Sequence, residues 1–241
     1  GSSSFTVQGQ GENAAAWIQG SGDHTVELLG NDNYLSSVWV DQTDSTGDFD
    51  GIRVAGREAR IDNVSVDAAP RYAINLQHRE FHVTDCEIQG GDVAGIHLAD
   101  NSVTGERARF GIINGTTIKT TPAVGILDEN GALGNKIDAT IIQPGGDGAV
   151  LEFNNQFDLK IQTAGDRGLV LTGSKNVGTV WIRDTTNEAM VVQSDDNVIH
   201  GVFGAGGVLL ESGTSNNVIT GVCDGPITDN GTNDTSGLIQ V

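Results

Sequence analysis

Short apolar runs with a polar residue in the middle recur along the chain: Val26-Glu27-Leu28, Ile52-Arg53-Val54, Ile74-Asn75-Leu76 and Ile96-His97-Leu98. They continue less cleanly as Ile126-Leu127-Asp128, Leu151-Glu152-Phe153, Leu171-Thr172, Val192-Gln193 and Leu210-Glu211. The interval is about 18 to 30 residues, the range of solenoid rungs. A second pattern follows the first, an apolar position with apolar or small ones three and five residues on. It reads Leu35, Val38, Val40; Ile61, Val64, Val66; Val83, Cys86, Ile88; Val177, Val180, Ile182; Val198, Gly201, Phe203; and Val218, Gly221, Cys223. Alternation over so few residues, rich in Val and Ile and bounded by Gly, Asn and Asp, predicts short strands rather than helices.

Strands that repeat once per coil stack in parallel, about 4.8 Å apart, and pile their inward side chains into one continuous core. The pattern therefore predicts an all-β chain, a single right-handed parallel β-helix of about nine or ten rungs. Residues 17–225 form the rungs, 1–16 a lead-in or cap with a weak helical candidate around Asn13 to Ile18, and 226–241 a terminal rung or cap. Asn176, Asn197 and Asn217 each precede a copy of the second pattern. Asparagine suits a turn, where its amide bonds the backbone, and copies on successive rungs are predicted to stack as a ladder.

Composition narrows the function. Asp and Glu number 32 against 13 Lys and Arg, a formal charge of −19, which argues against nucleic acid as a partner because phosphates are bound by clustered cations. A strongly acidic surface fits concentrated salt, where self-repulsion is screened within a few ångström. An extracellular setting, on a cell surface or a virion, is the expectation. No apolar run is long enough to cross a bilayer as a helix, so membrane insertion is not expected. The two cysteines, Cys86 and Cys223, fall on inward positions several rungs apart and read as buried free thiols.

The chain resembles the pectate-lyase-like superfamily of right-handed parallel β-helices. The residues that carry the resemblance are Gly20-Ser21-Gly22-Asp23-His24-Thr25-Val26, Leu35 to Val40, Gly51-Ile52-Arg53-Val54 with Ile61 to Val66, and the three Asn-led segments. It spans roughly Trp17 to Val222 and implies architecture more than chemistry. Calcium-dependent lyases of this superfamily hold the metal with carboxylates and use a basic residue as proton acceptor, so calcium is the one cofactor the resemblance implies. Resemblance to viral tail spikes implies a homotrimer.

If the triplets stack in register, their middle residues form an outward column. Glu27, Arg53, Asn75, His97, Asp128, Glu152 and Gln193 are its ligand-binding candidates, a polar row able to hold an extended polysaccharide. Within it His97, Asp128 and Glu152 are the catalytic candidates, since two carboxylates on neighbouring rungs suit a glycosidase acid and base. Asp195-Asp196 and His200-Gly201 resemble parts of a polygalacturonase site, but no Arg or Lys follows, so no such site is assigned. His78, Arg79 and His82 read as solvated surface in a turn, and Ala99 to Ala123 as the longest loop excursion. No metal site is assigned. Two functions compete: a non-catalytic β-helix that binds surface glycans, and a hydrolase or lyase acting on an acidic polysaccharide.

Overall fold

The computed structural model describes residues 6–8, 16–19, 24–42, 47–101 and 104–241. Every strand pairing is parallel, and two sheets run the length of the molecule. The first has ten strands: Val26–Leu28, Ile52–Val54, Tyr72–Leu76, Ala94–Leu98, Val124–Asp128, Ala149–Leu151, Leu169–Leu171, Met190–Val192, Val208–Leu210 and Ile227–Asp229. The second has fifteen. Together they make a parallel β-helix of ten coils, and no helix is found among the described residues. Ile52, Ile74 and Ile96 pair in register and are fully buried. The inward pile is therefore as predicted.

The fifteen-stranded sheet changes character halfway along. In the first three complete coils each rung of this sheet is two short strands, as in Arg60–Asp62 and Ser65–Asp67. The residue that follows the first strand of each pair is left-handed: Ser37, Asn63 and Asp85 have φ of 54°, 52° and 51°. One extra residue at each bend lets Leu35 and Val38, Ile61 and Val64, and Val83 and Cys86 all face inward although they lie three apart. In the next rung the two strands fuse as Ile112–Lys119, with the bend at Gly115 (φ 61°). The register against Lys136–Ile142 then shifts between Ile113 and Thr116, and the bend disappears.

Beyond that point the strands alternate strictly, which overturns part of the sequence reading. Val177 and Val198, predicted inward, are 50% and 46% exposed. Without a bend, a step of three residues crosses to the other face, and Gly178, Ile199 and Ile219 take the inward places instead. Gly178 is required by packing: a Cβ there would lie 2.4 Å from the Phe157 ring.

The predicted asparagine ladder is present and longer than expected. Asn135, Asn155, Asn176, Asn197 and Asn217 are buried at the turn between the sheets. Each backbone N–H from Asn135 to Asn217 donates to the side-chain oxygen of the next asparagine, ending at Asn233, at 2.9 to 3.2 Å. The side-chain amides of Asn155, Asn176, Asn197 and Asn217 donate to the same oxygens. The left-handed conformation falls on the residue before the asparagine, as at Lys175, Asp196 and Asn216.

Three smaller expectations are corrected. Ala16–Gln19 is a strand paired with Val38–Asp41, so the helical candidate fails there, and residues 13–15 lie outside the described residues. The excursion from Ala99 contains the strand Ile112–Lys119, so it is not a loop throughout. His82 starts a strand, His82–Thr84. Both cysteines are free and buried, and burial pushes the Cys86 thiol up to about 12.

Candidate ligand-binding groove

Because the chain bends at both ends of the strands Tyr34–Ser36, Arg60–Asp62 and His82–Thr84, their outer face is recessed. Asp32, Glu58 and Glu80 are left-handed before the three strands, as Ser37, Asn63 and Asp85 are after them. The result is an open groove of about 560 Å³, lined by Asp32, Tyr34, Glu58, Arg60, Asp62 and His82. Tyr34, Arg60 and His82 stand in register on three successive rungs, with Asp62 and Thr84 in a parallel column two residues on.

The groove combines an aromatic ring, donors and acceptors. The Tyr34 hydroxyl donates to Asp62 Oδ2 at 3.2 Å, which orients both side chains. Arg60 is exposed and neighbours Tyr34 on one side and His82 on the other, so its guanidinium faces solvent in the groove. Glu58 is held by Arg57 at 2.6 Å. Three carboxylates, Asp32, Glu58 and Asp62, therefore flank one guanidinium and one imidazole. Rungs spaced about 4.8 Å apart place a fresh polar side chain at intervals close to the length of a sugar ring.

Sequence reasoning placed the site on the other sheet, and there the structure divides the candidates. Glu27, Arg53, Asn75 and His97 do form a column in register. Leu127, not Asp128, stands beside His97. Asp128 pairs with Leu98, points into the core and is 1% exposed. Glu152, Thr172, Gln193 and Glu211 each lie one residue past the strands Ala149–Leu151, Leu169–Leu171, Met190–Val192 and Val208–Leu210. The outward column continues instead as Leu127, Val150, Val170, Val191 and Leu209. Three apolar residues in a row erase the alternation that fixes register, and a slip of one residue turns every side chain to the opposite face.

His97 belongs to a closed network rather than to an open row. Its Nδ1 lies 3.1 Å from Asn75 Oδ1 and its Nε2 2.9 Å from Glu129 Oε1. Asn75 spends its amide on Asp50 Oδ2 at 2.7 Å, so its oxygen is left facing Nδ1 of His97. Asp50, fully buried, also binds Arg71 Nε at 3.0 Å, and its backbone N–H donates to His24 Nδ1 at 2.9 Å. Tyr72 stacks on His97, with ring centroids 3.9 Å apart, and Arg71 packs on Tyr72 at 4.6 Å. Burial pushes the His97 imidazole down, against the opposing pull of Glu129. Both nitrogens are engaged and the residue is 5% exposed, so the network braces the outer face of the sheet. Asp50, Arg71, Tyr72 and Glu129 were not among the sequence candidates.

Asp128, Glu152 and His97 are not gathered at one reacting point. Asp128 accepts from Asn155 Nδ2 at 2.6 Å and from the Glu152 backbone at 3.1 Å, while Glu152 binds the Gly131 backbone at 2.7 Å. Burial raises the Asp128 carboxyl to about 8, which keeps it protonated at neutral pH. Among the described residues no three His, Cys, Asp or Glu side chains gather in a way that would hold a metal ion.

The class defined by these features is a parallel β-helix with an open polar groove on one outer face. No family model matches the chain, and no curated protein matches it. Among solved structures it aligns with the A-module of a mannuronan C-5 epimerase from Azotobacter vinelandii, at a TM-score of 0.42 and 12% identity. The alignment covers 100% of this chain and 89% of that one.

Proposed function

We propose that the chain is a glycan-binding β-helix that holds a hydroxyl-rich sugar chain in the groove of Tyr34, Arg60 and His82. One observation carries this reading: these three side chains stand side by side on consecutive rungs and line an open recess with Asp62. Sugar hydroxyls need paired donors and acceptors and a flat apolar surface, and the groove offers all three. Its three carboxylates against Arg60 and His82 favour neutral sugars over uronates, because a uronate would bring a further negative charge among them.

Titration calorimetry with neutral and uronate oligosaccharides tests the reading. Neutral oligosaccharides are expected to bind, and Arg60→Ala and His82→Ala each to weaken binding about tenfold, the effect of losing one to two hydrogen bonds. Arg60 is exposed, so its removal leaves the fold intact. Undiminished binding by both variants would refute the groove as the site. Release of reducing ends or of unsaturated products would replace it with an enzymatic function.

A further inference from the structure

The row of side chains that lines the groove continues along its sheet. Beyond His82 the same column runs in register through Ile112 and Lys136 to Gln156. Asn114, Lys136, Asp138, Gln156 and Asp158, all exposed, line a second open recess of about 400 Å³. One rung, that of Ile112 and Asn114, joins it to the first. Phe110 marks this junction. The backbone N–H groups of Asp32, Glu58 and Glu80 donate to the carbonyls of Arg57, Arg79 and Arg109. Each acceptor directly precedes the next member, so Phe110 is the fourth residue of one turn column. Asp32 and Glu58 line the first recess. Phe110 is left-handed like them, with φ of 56°, and its side chain is 57% exposed. It is the one aromatic residue among the described non-glycine residues of positive φ. Its ring lies against Gly134 on the next rung, where an added Cβ would come within 3.1 Å of it.

A bulky apolar side chain held at the surface in a backbone conformation that such residues rarely adopt points to a role outside the core. We infer that the two recesses are halves of one track, that Phe110 is the stacking platform between them, and that the track takes an extended chain of neutral sugars laid along the axis of the rod. The inference rests on the groove reading and adds the far half of the site, the direction of the ligand and its length. Direction follows from the column. Tyr34, Arg60 and His82, then Lys136 and Gln156, offer one polar side chain per rung, which matches a ligand that repeats at a similar interval. Six rungs, or five steps of about 4.8 Å, make a track of roughly 24 Å. At one ring per rung it holds about six sugars. Ile112 has no hydrogen bond to offer at the middle rung, and there Phe110 supplies the flat apolar face on which a sugar ring packs. Charge keeps the ligand class the same throughout. Asp138 and Asp158 outnumber Lys136, so a uronate meets net repulsion in the second recess as in the first.

Titration calorimetry of the whole chain with trisaccharides and hexasaccharides of the manno-, cello- and xylo- series tests the length. In the series that binds, the hexasaccharide is expected to bind about tenfold more tightly than the trisaccharide, the gain from one to two added hydrogen bonds. Phe110→Asn is expected to cut that ratio about fivefold, the effect of losing one stacking contact. Asn154 and Asn216 are left-handed in the same turn column, so asparagine suits the backbone at 110. Lys136→Ala with Gln156→Ala, two exposed side chains, repeats the test from the second recess with a fall of similar size. A trisaccharide that binds as tightly as the hexasaccharide overturns the inference and leaves the groove reading standing. So does a gain with length that both variants retain. If no series binds at either length, the groove reading fails and the longer track falls with it.

Discussion

The two ends of this β-helix share one core and differ in how each coil turns. In the amino-terminal coils a left-handed residue at Ser37, Asn63 or Asp85 inserts one extra position. The strand breaks there and its outer face becomes a recess lined with Tyr34, Arg60 and His82. In the carboxy-terminal coils the extra residue is gone, the strands run straight for six residues or more, and the outer face is flat, with exposed valines and Trp181 flanking a central column of Thr179, His200 and Thr220. One residue per coil thus converts a recessed outer face into a flat one. The opposite sheet shows the same division: its outer column is polar from Glu27 to His97 and apolar from Leu127 to Leu209.

The largest effect should come from the ionic end. Arg71 supplies the cation for Asp50, whose side chain has no exposure at all. Arg71→Leu strands that carboxylate with only Asn75 and His24, and breaking a buried pair costs about 3 kcal/mol or more. Urea unfolding at constant salt would show the loss as a lower midpoint. A variant as stable as the wild type would mean that the polar outer face contributes nothing to stability, and the contrast between the ends would be one of surface alone.

At the junction of the two regions Asp128 gives a pH-dependent effect. Its folded carboxyl titrates near 8, well above the usual value for aspartate. The folded state therefore keeps a proton that the unfolded chain releases near pH 4. Stability from this group is complete below pH 4 and is lost as the pH rises towards 8. Asp128→Asn mimics the protonated acid and should remove that loss, a gain on the order of 1 to 3 kcal/mol at pH 8.5 with little change at pH 4. Unfolding midpoints at the two pH values decide it, and equal changes at both would show that Asp128 is ionised in the fold.

Architecture was legible because the repeat survives in every coil: Ile52, Ile74 and Ile96 announce the stack, and Asn176, Asn197 and Asn217 announce the ladder. Register was legible only where alternation is clean. Ala149-Val150-Leu151 and Met190-Val191-Val192 offer three apolar residues in a row, and nothing local says which of the three faces out. The groove escaped notice for another reason. Tyr34, Arg60 and His82 each stand one residue before an inward apolar position, Leu35, Ile61 and Val83, so reading the outward neighbours of the second pattern would have found them. What no local reading reveals is the bend, because Ser37, Asn63 and Asp85 share a backbone conformation and little chemistry.

The smallest predicted effect addresses that bend directly. An L residue in the left-handed region pays about 1 kcal/mol relative to glycine, less for aspartate or asparagine, while glycine gives back part of this through its freer unfolded chain. Asp85 has φ of 51° and an exposed side chain, so Asp85→Gly should be neutral to stabilising, by about 0.5 kcal/mol. Thr179, at the middle outward place of a straight strand, lacks positive φ and donates to Asp158 at 2.9 Å. Thr179→Gly should therefore cost about 1 kcal/mol. The same replacement is thus expected to have opposite signs at the two ends, a comparison that cancels glycine's common effect on the unfolded chain. Melting temperatures that fall equally for both would mean that the bend carries no conformational strain, and the groove would then owe its shape to packing alone.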